Sequence, residues 1–240
     1  MKGTFEVRTS RFRILIFDFD YTLFDTSAGV VECMQRAFAA LGQEIPQEAP
    51  IRTTIGLPLS HAISSLNTAL SKAEVDEIAR HFLRFADVYM VERTVPIPPV
   101  PGLLLELASE GFSLALLTGK YRARVVRTLE SHGLLECFDS ILCGDEVRGK
   151  PDPEGITKIC EKWRNRSRDE FVLIGDHYLD ILTAKNGRID CIAVSSGQTS
   201  PQVLASYEPL AVIRDLSGLR AVLSGSVPAR GAPVQSSPLN

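Results

Sequence analysis

The feature that most constrains this chain is a series of short, unbroken apolar runs separated by segments with helical spacing. The runs lack polar alternation, which is typical of strands covered on both faces, as in a parallel sheet. Strand followed by helix, repeated, predicts an α/β fold with a doubly wound, Rossmann-like parallel sheet. The predicted strands are residues 14–19, 112–117, 141–143, 171–174, 191–194 and 211–213, and the predicted helices are 121–132, 153–163 and 178–187.

One stretch departs from this alternation. Residues 27–97 carry helical patterns only, at 28–41, 59–70 and 72–91, and a proline-rich segment at 95–102 closes them. They predict a helical cap domain inserted after the first strand. In open α/β sheets ligands bind at the carboxyl ends of the strands, so an insertion there would lie over the site.

The predicted domain organisation follows from this insertion. The α/β core comprises residues 11–26 and 98–223, and residues 27–97 form the cap. Residues 224–240 contain four serines and three prolines. Such a composition buries too little apolar surface to offset its ordering entropy, which predicts a flexible tail.

Charge and hydropathy limit the partners. The chain has 26 Lys and Arg against 29 Asp and Glu, a net charge of −3, so no basic nucleic-acid footprint is present. No apolar run approaches the ~18–20 residues of a membrane span, and the N-terminus lacks a signal-peptide stretch, so we expect no membrane partner. Five cysteines without a CxxC pair favour reduced thiols and a cytoplasmic location.

Two carboxylates follow the first predicted strand. Asp18 and Asp20 lie two residues apart, so on an extended segment they would share a face and repel each other unless a cation lies between them. Mg²⁺ prefers such oxygen ligands and keeps room for a substrate phosphate. The simpler interpretation is a loop start with capping aspartates.

A second pair of carboxylates follows the strand at 171–174. Asp176 comes at the strand end, and Asp180 lies one helical turn further on. Alone, Asp176 reads equally well as a helix N-cap. Because carboxyl ends of parallel strands meet at one edge of the sheet, both pairs are expected to converge.

Two further strand exits offer groups for phosphate. Thr118 supplies a hydroxyl, and Gly119 begins the backbone N–H groups that open a helix. Lys150 stands on a loop between Gly149 and Pro151, suited to hold a point charge against phosphate. In isolation Thr118 is also an ordinary N-cap, and a loop lysine is usually solvated.

The order and spacing of these motifs resemble the haloacid dehalogenase-like hydrolase superfamily over residues 12–223. Segments 55–59 and 144–155 resemble its phosphoglycolate phosphatase and β-phosphoglucomutase branch. The resemblance implies that Asp18 is the nucleophile and Asp20 the general acid and base.

The remaining site residues are assigned on the same resemblance. It implies that Thr118, Gly119 and Lys150 bind the phosphoryl group. It also implies a Mg²⁺ site whose four aspartate ligands are Asp18, Asp20, Asp176 and Asp180.

The chain departs from the family pattern at one position. The family commonly has Gly after the second Asp, where this chain has Tyr21. We expect Tyr21 to narrow the entrance of the site. Within the cap, Arg52 and Gly56, beside and within the 55–59 segment, are further candidates for substrate contact; for Arg52 a solvated surface role is equally compatible.

The implied function is a Mg²⁺-dependent phosphatase that acts through an aspartyl-phosphate intermediate. Its partner would be a small phosphorylated metabolite, phosphoglycolate-like or a sugar phosphate, and the protein would be a monomer or a homodimer. Two alternatives stay open: a β-phosphoglucomutase-like phosphotransferase, which keeps the same core residues, and a catalytically silent binding module. A silent module would be expected to have lost a core carboxylate, and all four are present.

Overall fold

The computed structural model describes residues 10–197 and 199–226. Within them, eight strands form a six-stranded sheet and a two-stranded ribbon. The strands are β1 (Ile14–Phe17), β2 (Phe24–Asp25), β3 (Val95–Pro96), β4 (Ser113–Leu117), β5 (Ser140–Leu142), β6 (Phe171–Gly175), β7 (Asp190–Val194) and β8 (Ala211–Ile213).

Ten α-helices connect the strands over the same described residues. They are α1 (Ser27–Ala40), α2 (Glu48–Arg52), α3 (Leu59–Leu66), α4 (Lys72–Tyr89), α5 (Val100–Ser109), α6 (Arg122–Ser131), α7 (Glu154–Lys162), α8 (Tyr178–Gly187), α9 (Pro201–Ser206) and α10 (Leu219–Leu223). No helix in the described part of the chain is both long and apolar enough to cross a bilayer.

The large sheet has the order β5-β4-β1-β6-β7-β8, and all neighbouring strands in it are parallel. This confirms the predicted Rossmann-like α/β fold. Strand β1 shows why its sequence has no polar alternation. Ile14 and Ile16 pack in the hydrophobic cluster on one face of the sheet, and Leu15 and Phe17 pack in the cluster on the other.

The first strand is shorter than predicted and ends at Phe17 rather than at residue 19. The Asp18 N–H still donates to the Ile174 carbonyl at 2.9 Å, and the chain then turns so that Leu23 and Phe24 N–H groups both reach the Phe19 carbonyl. The turn separates the Asp18 and Asp20 side chains, which an extended segment would have kept on one face.

Residues 27–97, here named the helical insert, contribute α1 to α4 and a hydrophobic cluster of their own. The antiparallel ribbon of β2 and β3 holds the two ends of the insert together, pairing Phe24 with Pro96 and Asp25 with Val95. The limits proposed for a separate cap domain, 26/27 and 97/98, stay a prediction. The predicted flexible tail falls on residues 224–240, of which 227–240 lie outside the described residues.

Candidate active site

Strand pairing brings the acidic motifs together. Phe17 pairs with Ile174 in the register of β1 and β6, so Asp18 and Asp176 leave neighbouring strands at the same edge of the sheet. Asp180 lies one turn into α8. One carboxylate oxygen from each of Asp18, Asp176 and Asp180 lies within 4.8 Å of the others, and all three residues are buried.

Two glycines make room for these carboxylates. A Cβ on Gly175 would lie 2.4 Å from the Asp180 carboxyl carbon, and a Cβ on Gly197 would lie 1.8 Å from an Asp176 oxygen. The buried Thr22 hydroxyl donates to Asp176 Oδ1 at 3.2 Å. The chain therefore encloses the three acidic side chains closely.

Lys150 is the cation of this cluster. Its Nζ donates to Asp18 Oδ1 and to Asp180 Oδ1, both at 2.5 Å. Burial works to lower the pKa of Lys150, but the charges of Asp18 and Asp180 raise it further, above its ordinary value. Lys150 therefore stays charged.

The carboxylates are short of positive charge. Burial raises the pKa of Asp18 to about 7. Lys150 lowers this pKa, whereas the charges of Asp180 and Asp20 raise it. Burial, together with Asp18 and Asp180, also raises the pKa of Asp176 well above its ordinary value. A hard divalent cation would balance these anions, and carboxylate oxygens are the ligands that Mg²⁺ prefers. The donor set fits such an ion.

Asp20 contacts a different part of the site. Its Oδ1 lies 3.1 Å from Lys120 Nζ and accepts a hydrogen bond from the Thr26 hydroxyl. Among the described residues, the close carboxylate group consists of Asp18, Asp176 and Asp180, without Asp20. A role of Asp20 as a metal ligand stays a prediction.

Sequence reasoning missed Lys120 as a site residue. Lys120 follows Thr118 and Gly119 after the end of β4. A cationic side chain two residues after Thr118 could have indicated a site residue. Thr118 is buried, and its Oγ1 accepts a hydrogen bond from the Lys120 N–H at 3.2 Å. A Cβ on Gly144 would lie 2.2 Å from the Gly119 carbonyl oxygen, so glycine at 144 permits this loop contact.

A cavity of about 350 Å³ separates the sheet edge from the helical insert. Asp18, Asp20, Gly119, Lys150 and Asp180 line it on the core side. Of the predicted residues of the core motifs, Thr118 and Asp176 are the two that do not line this cavity.

Gly56 also lines the cavity, from the insert side, and its contact with a substrate stays a prediction. Its φ of +98° belongs to the left-handed region that favours glycine, and a Cβ there would lie 3.3 Å from the His177 ring. His177, the neighbour of Asp176 in the sequence, also lines the cavity, and burial lowers its pKa.

Tyr21 and Arg52 do not line the cavity. Tyr21 has a φ of +54°, which explains why glycine suits this position, and its ring is buried in the insert's hydrophobic cluster. Arg52 forms an ion pair with Glu48 at 2.7 Å on the short helix α2, which agrees with the surface role left open for it. Contact of either residue with a substrate stays a prediction.

Comparison with known proteins agrees with this arrangement. The family model described as haloacid dehalogenase-like hydrolase matches residues 15–194. The chain belongs to the haloacid dehalogenase-like hydrolase family. This haloacid dehalogenase-like hydrolase is 30% identical over 224 residues to the phosphoglycolate phosphatase of Agrobacterium fabrum, a match that covers 91% of this chain and 95% of that protein.

Two further comparisons extend the likeness. The phosphoglycolate phosphatase of Vibrio cholerae is 31% identical over 220 residues, with 88% of this chain and 96% of that protein covered. A solved structure of a haloacid dehalogenase-like hydrolase from Bacteroides fragilis superposes with a TM-score of 0.82 at 30% identity, covering 87% of this chain and 99% of that one. This haloacid dehalogenase-like hydrolase is a phosphatase, a phosphoric monoester hydrolase, as predicted.

Proposed function

We propose that this phosphatase is Mg²⁺-dependent and hydrolyses a small phosphomonoester through an aspartyl-phosphate intermediate on Asp18. The observation that carries the proposal is the buried carboxylate group of Asp18, Asp176 and Asp180 with Lys150 at 2.5 Å from Asp18. A nucleophile, a cation and a metal-ligand set occur together there, at the floor of a cavity.

The metal would be held by the carboxylates of Asp18, Asp176 and Asp180. When bound, Mg²⁺ supplies positive charge that keeps Asp18 ionised and neutralises the phosphoryl oxygens. The Thr22 hydroxyl holds the Asp176 carboxylate in place, and Gly175 and Gly197 leave room for the acidic side chains.

The chain's own groups account for the two chemical steps. An Asp18 carboxylate oxygen attacks phosphorus and the bond to the leaving oxygen breaks, while Asp20 donates a proton to that oxygen. A water molecule then attacks the same phosphorus, gives its proton to Asp20, and the bond from phosphorus to Asp18 breaks. Phosphate and ionised Asp18 are the products. Lys120 and Thr26 hold Asp20 for both transfers.

Lys150 and the end of β4 stabilise the transferring group. Phosphoryl transfer passes through a loose transition state with charge spread over the equatorial oxygens, so positioned cations and N–H groups provide most of the catalysis. Lys150 faces Asp18 directly, and Gly119 offers its backbone at the cavity wall. The Thr118 hydroxyl supports the same loop.

The test is phosphate release from a panel of phosphomonoesters that includes phosphoglycolate, the substrate named for the relatives, and sugar phosphates. We expect release with Mg²⁺, none in EDTA, and recovery when Mg²⁺ is restored. Asp18→Asn should abolish turnover, and Asp20→Asn should lower kcat by about 10²–10⁴-fold. Asp169→Asn, an exposed carboxylate before β6 at the opposite edge of the sheet, is the matched control.

Two outcomes would overturn the proposal. Full activity in EDTA contradicts the metal assignment, and normal turnover by Asp18→Asn contradicts the nucleophile. Transfer of the phosphoryl group to a sugar, without release of phosphate, would instead identify the phosphotransferase alternative.

The cellular setting is part of the same proposal. All five cysteines are free, and four of them are buried. We propose a cytoplasmic monomer or homodimer whose partner is the small phosphorylated substrate. Thiol labelling of protein from gently lysed cells tests the compartment. A cytoplasmic protein should label at its free cysteines, whereas cysteines oxidised in another compartment would not react.

A further inference from the structure

The cavity at the active site has two chemically different ends. The end at the sheet carries the charged residues already described. The wall formed by the helical insert consists of apolar side chains: Val30, Met34, Ile55, Leu57, Pro58, Leu59, Ala62, Phe82, Leu83 and Met90. A leaving group that extends from the phosphoryl site therefore lies against apolar surface.

Besides the charged residues, the polar side chains of the described lining are Thr54, Tyr121 and His177. Thr54 donates its hydroxyl to the Ile51 carbonyl at 2.7 Å, so that donor is already used. A sugar needs a hydrogen-bond partner for each hydroxyl that it buries, and a missing partner weakens binding. A two-carbon leaving group would leave most of the 350 Å³ filled with water against the apolar wall. A leaving group with an apolar body would cover that wall.

Arg124 adds a further charged group to the lining of the cavity. It lines the cavity, is 6% exposed, and its guanidinium lies 5.0 Å from the centre of the Tyr121 ring. Its Nη1 pairs with Asp87 of the insert at 2.5 Å. Its Nε is buried and has no hydrogen-bond acceptor among the described residues.

The other cavity cations are already matched to acidic groups of the site. Lys150 pairs with Asp18 and Asp180, and Lys120 pairs with Asp20. Arg124 instead pairs with Asp87, whose side chain is 64% exposed. Its buried Nε–H has no acceptor among the described residues. A buried donor without an acceptor is costly, and an anionic ligand would satisfy it.

We propose that the leaving group of the natural substrate is an alcohol with an apolar body and one anionic group, such as a carboxylate, bound by Arg124. The proposal rests on the proposed function, since the phosphoryl group must lie at Asp18. The apolar body lies against the insert wall, and Arg124 lines the same cavity.

A chain-length series tests the apolar body. The probes are ω-carboxyalkyl phosphates, from phosphoglycolate to 6-(phosphonooxy)hexanoate, with glucose 6-phosphate alongside. Each buried methylene should raise kcat/KM by about fourfold, so the six-carbon probe should exceed phosphoglycolate by about 10²-fold. A flat series, or glucose 6-phosphate as the best substrate, overturns the proposal.

Variants at Arg124 test the anionic group. For Arg124→Met we expect the preference for 6-(phosphonooxy)hexanoate over hexyl phosphate to fall by about 10-fold or more, because only the carboxylate probe carries the anion that Arg124 binds. Arg127→Met removes an exposed arginine of the same helix and should leave the preference intact. Asp87→Asn removes the partner but keeps the Arg124 charge, and it should also retain the preference.

The readouts separate the proposals from each other. An equal loss for both probes in Arg124→Met would show that Arg124 only supports the fold, and an unchanged preference would show that it does not meet the anion. Either result overturns the inference while phosphate release continues. Absence of phosphate release from every probe with Mg²⁺ present would overturn the proposed function itself.

Discussion

At the scale of single residues, Asp18 shows how much negative charge the site gathers. Burial raises its pKa to about 7, and the equally buried Asp176 and Asp180 add like charge within 4.8 Å. Lys150 alone does not offset this repulsion, because it supplies one positive charge for three carboxylates. The folded chain without a metal therefore carries unfavourable electrostatic energy that an ion can release.

Mg²⁺ should stabilise the folded protein measurably. An ion that binds only the native state at about 100 times its Kd adds about 2.7 kcal/mol, or about 5–10 °C in Tm for a chain of this size. Thermal unfolding in Mg²⁺ and in EDTA measures the shift. Asp176→Asn should shrink it, and an identical Tm in both buffers would contradict the site.

A second residue-scale prediction concerns Gly144. A Cβ there would lie 2.2 Å from the Gly119 carbonyl oxygen, and a backbone atom cannot move aside without displacing its loop. Gly144→Ala should cost about 1–3 kcal/mol of stability and lower kcat/KM by up to about 10²-fold. Urea unfolding and steady-state kinetics measure the two effects.

Gly102→Ala is the matched control for that prediction. Gly102 lies in α5 and a Cβ would meet nothing within 4 Å, so the change should raise stability by about 1 kcal/mol through helix propensity. If Gly144→Ala changed stability and kcat/KM no more than Gly102→Ala does, the close contact with Gly119 would not matter for stability or activity.

How far the site could be predicted differs from residue to residue. Asp18, Asp176, Asp180 and Lys150 were predictable as a group, because parallel strand exits meet at one edge. The pairing of Asp20 with Lys120 was not, since it depends on the turn after Phe17. The burial of Tyr21 and the position of Arg124 depend on packing between the insert and the core, which no local pattern encodes.

At the scale of elements, strands were predicted better than helices. The six core strands lie within a few residues of their predicted positions, because burial on both faces requires unbroken apolar runs. Helices α2, α9 and α10 have five or six residues, too few for a helical period to show. Helix α5 begins inside the proline-rich segment with Pro101 in its first turn, where proline is favoured.

The start of α4 carries an element-scale prediction. Ser71 and Glu74 form a reciprocal capping box, with the Ser71 side chain accepting from the Glu74 N–H and the Glu74 side chain accepting from the Ser71 N–H. Ser71→Ala should therefore cost about 1 kcal/mol of unfolding free energy, measured by urea denaturation. Ser109→Ala, an exposed serine whose hydroxyl bonds only the Glu106 carbonyl within its own helix, should change stability by less than about 0.5 kcal/mol. Equal effects would contradict the capping role.

At the scale of the whole molecule, the described residues bury three hydrophobic clusters: one on each face of the sheet and one inside the helical insert. Helix α10 closes the core, since Leu219, Val222 and Leu223 are buried. Helix α10 is the last described element that packs on the core.

Removal of residues 227–240 should therefore leave the protein intact. This segment contains three prolines and two serines and offers little apolar surface to bury. A chain that ends at Ser226 should keep the Tm within about 1 °C and the same kcat/KM. Thermal unfolding and phosphate release measure both, and a loss of either would show that the tail contributes to the fold or to catalysis.

The ribbon of β2 and β3 has an evolutionary consequence. It pairs Asp25 with Val95 through backbone hydrogen bonds, so the insert leaves and re-enters the core at neighbouring points. Segments whose ends lie close together are the ones that domain insertion and exchange tolerate. The reacting groups belong to the sheet, and the apolar wall belongs to the insert. Recombination at this ribbon would therefore transfer the whole insert, and with it a preference for one alcohol, to another family member. New substrates could then be acquired without rebuilding the chemistry.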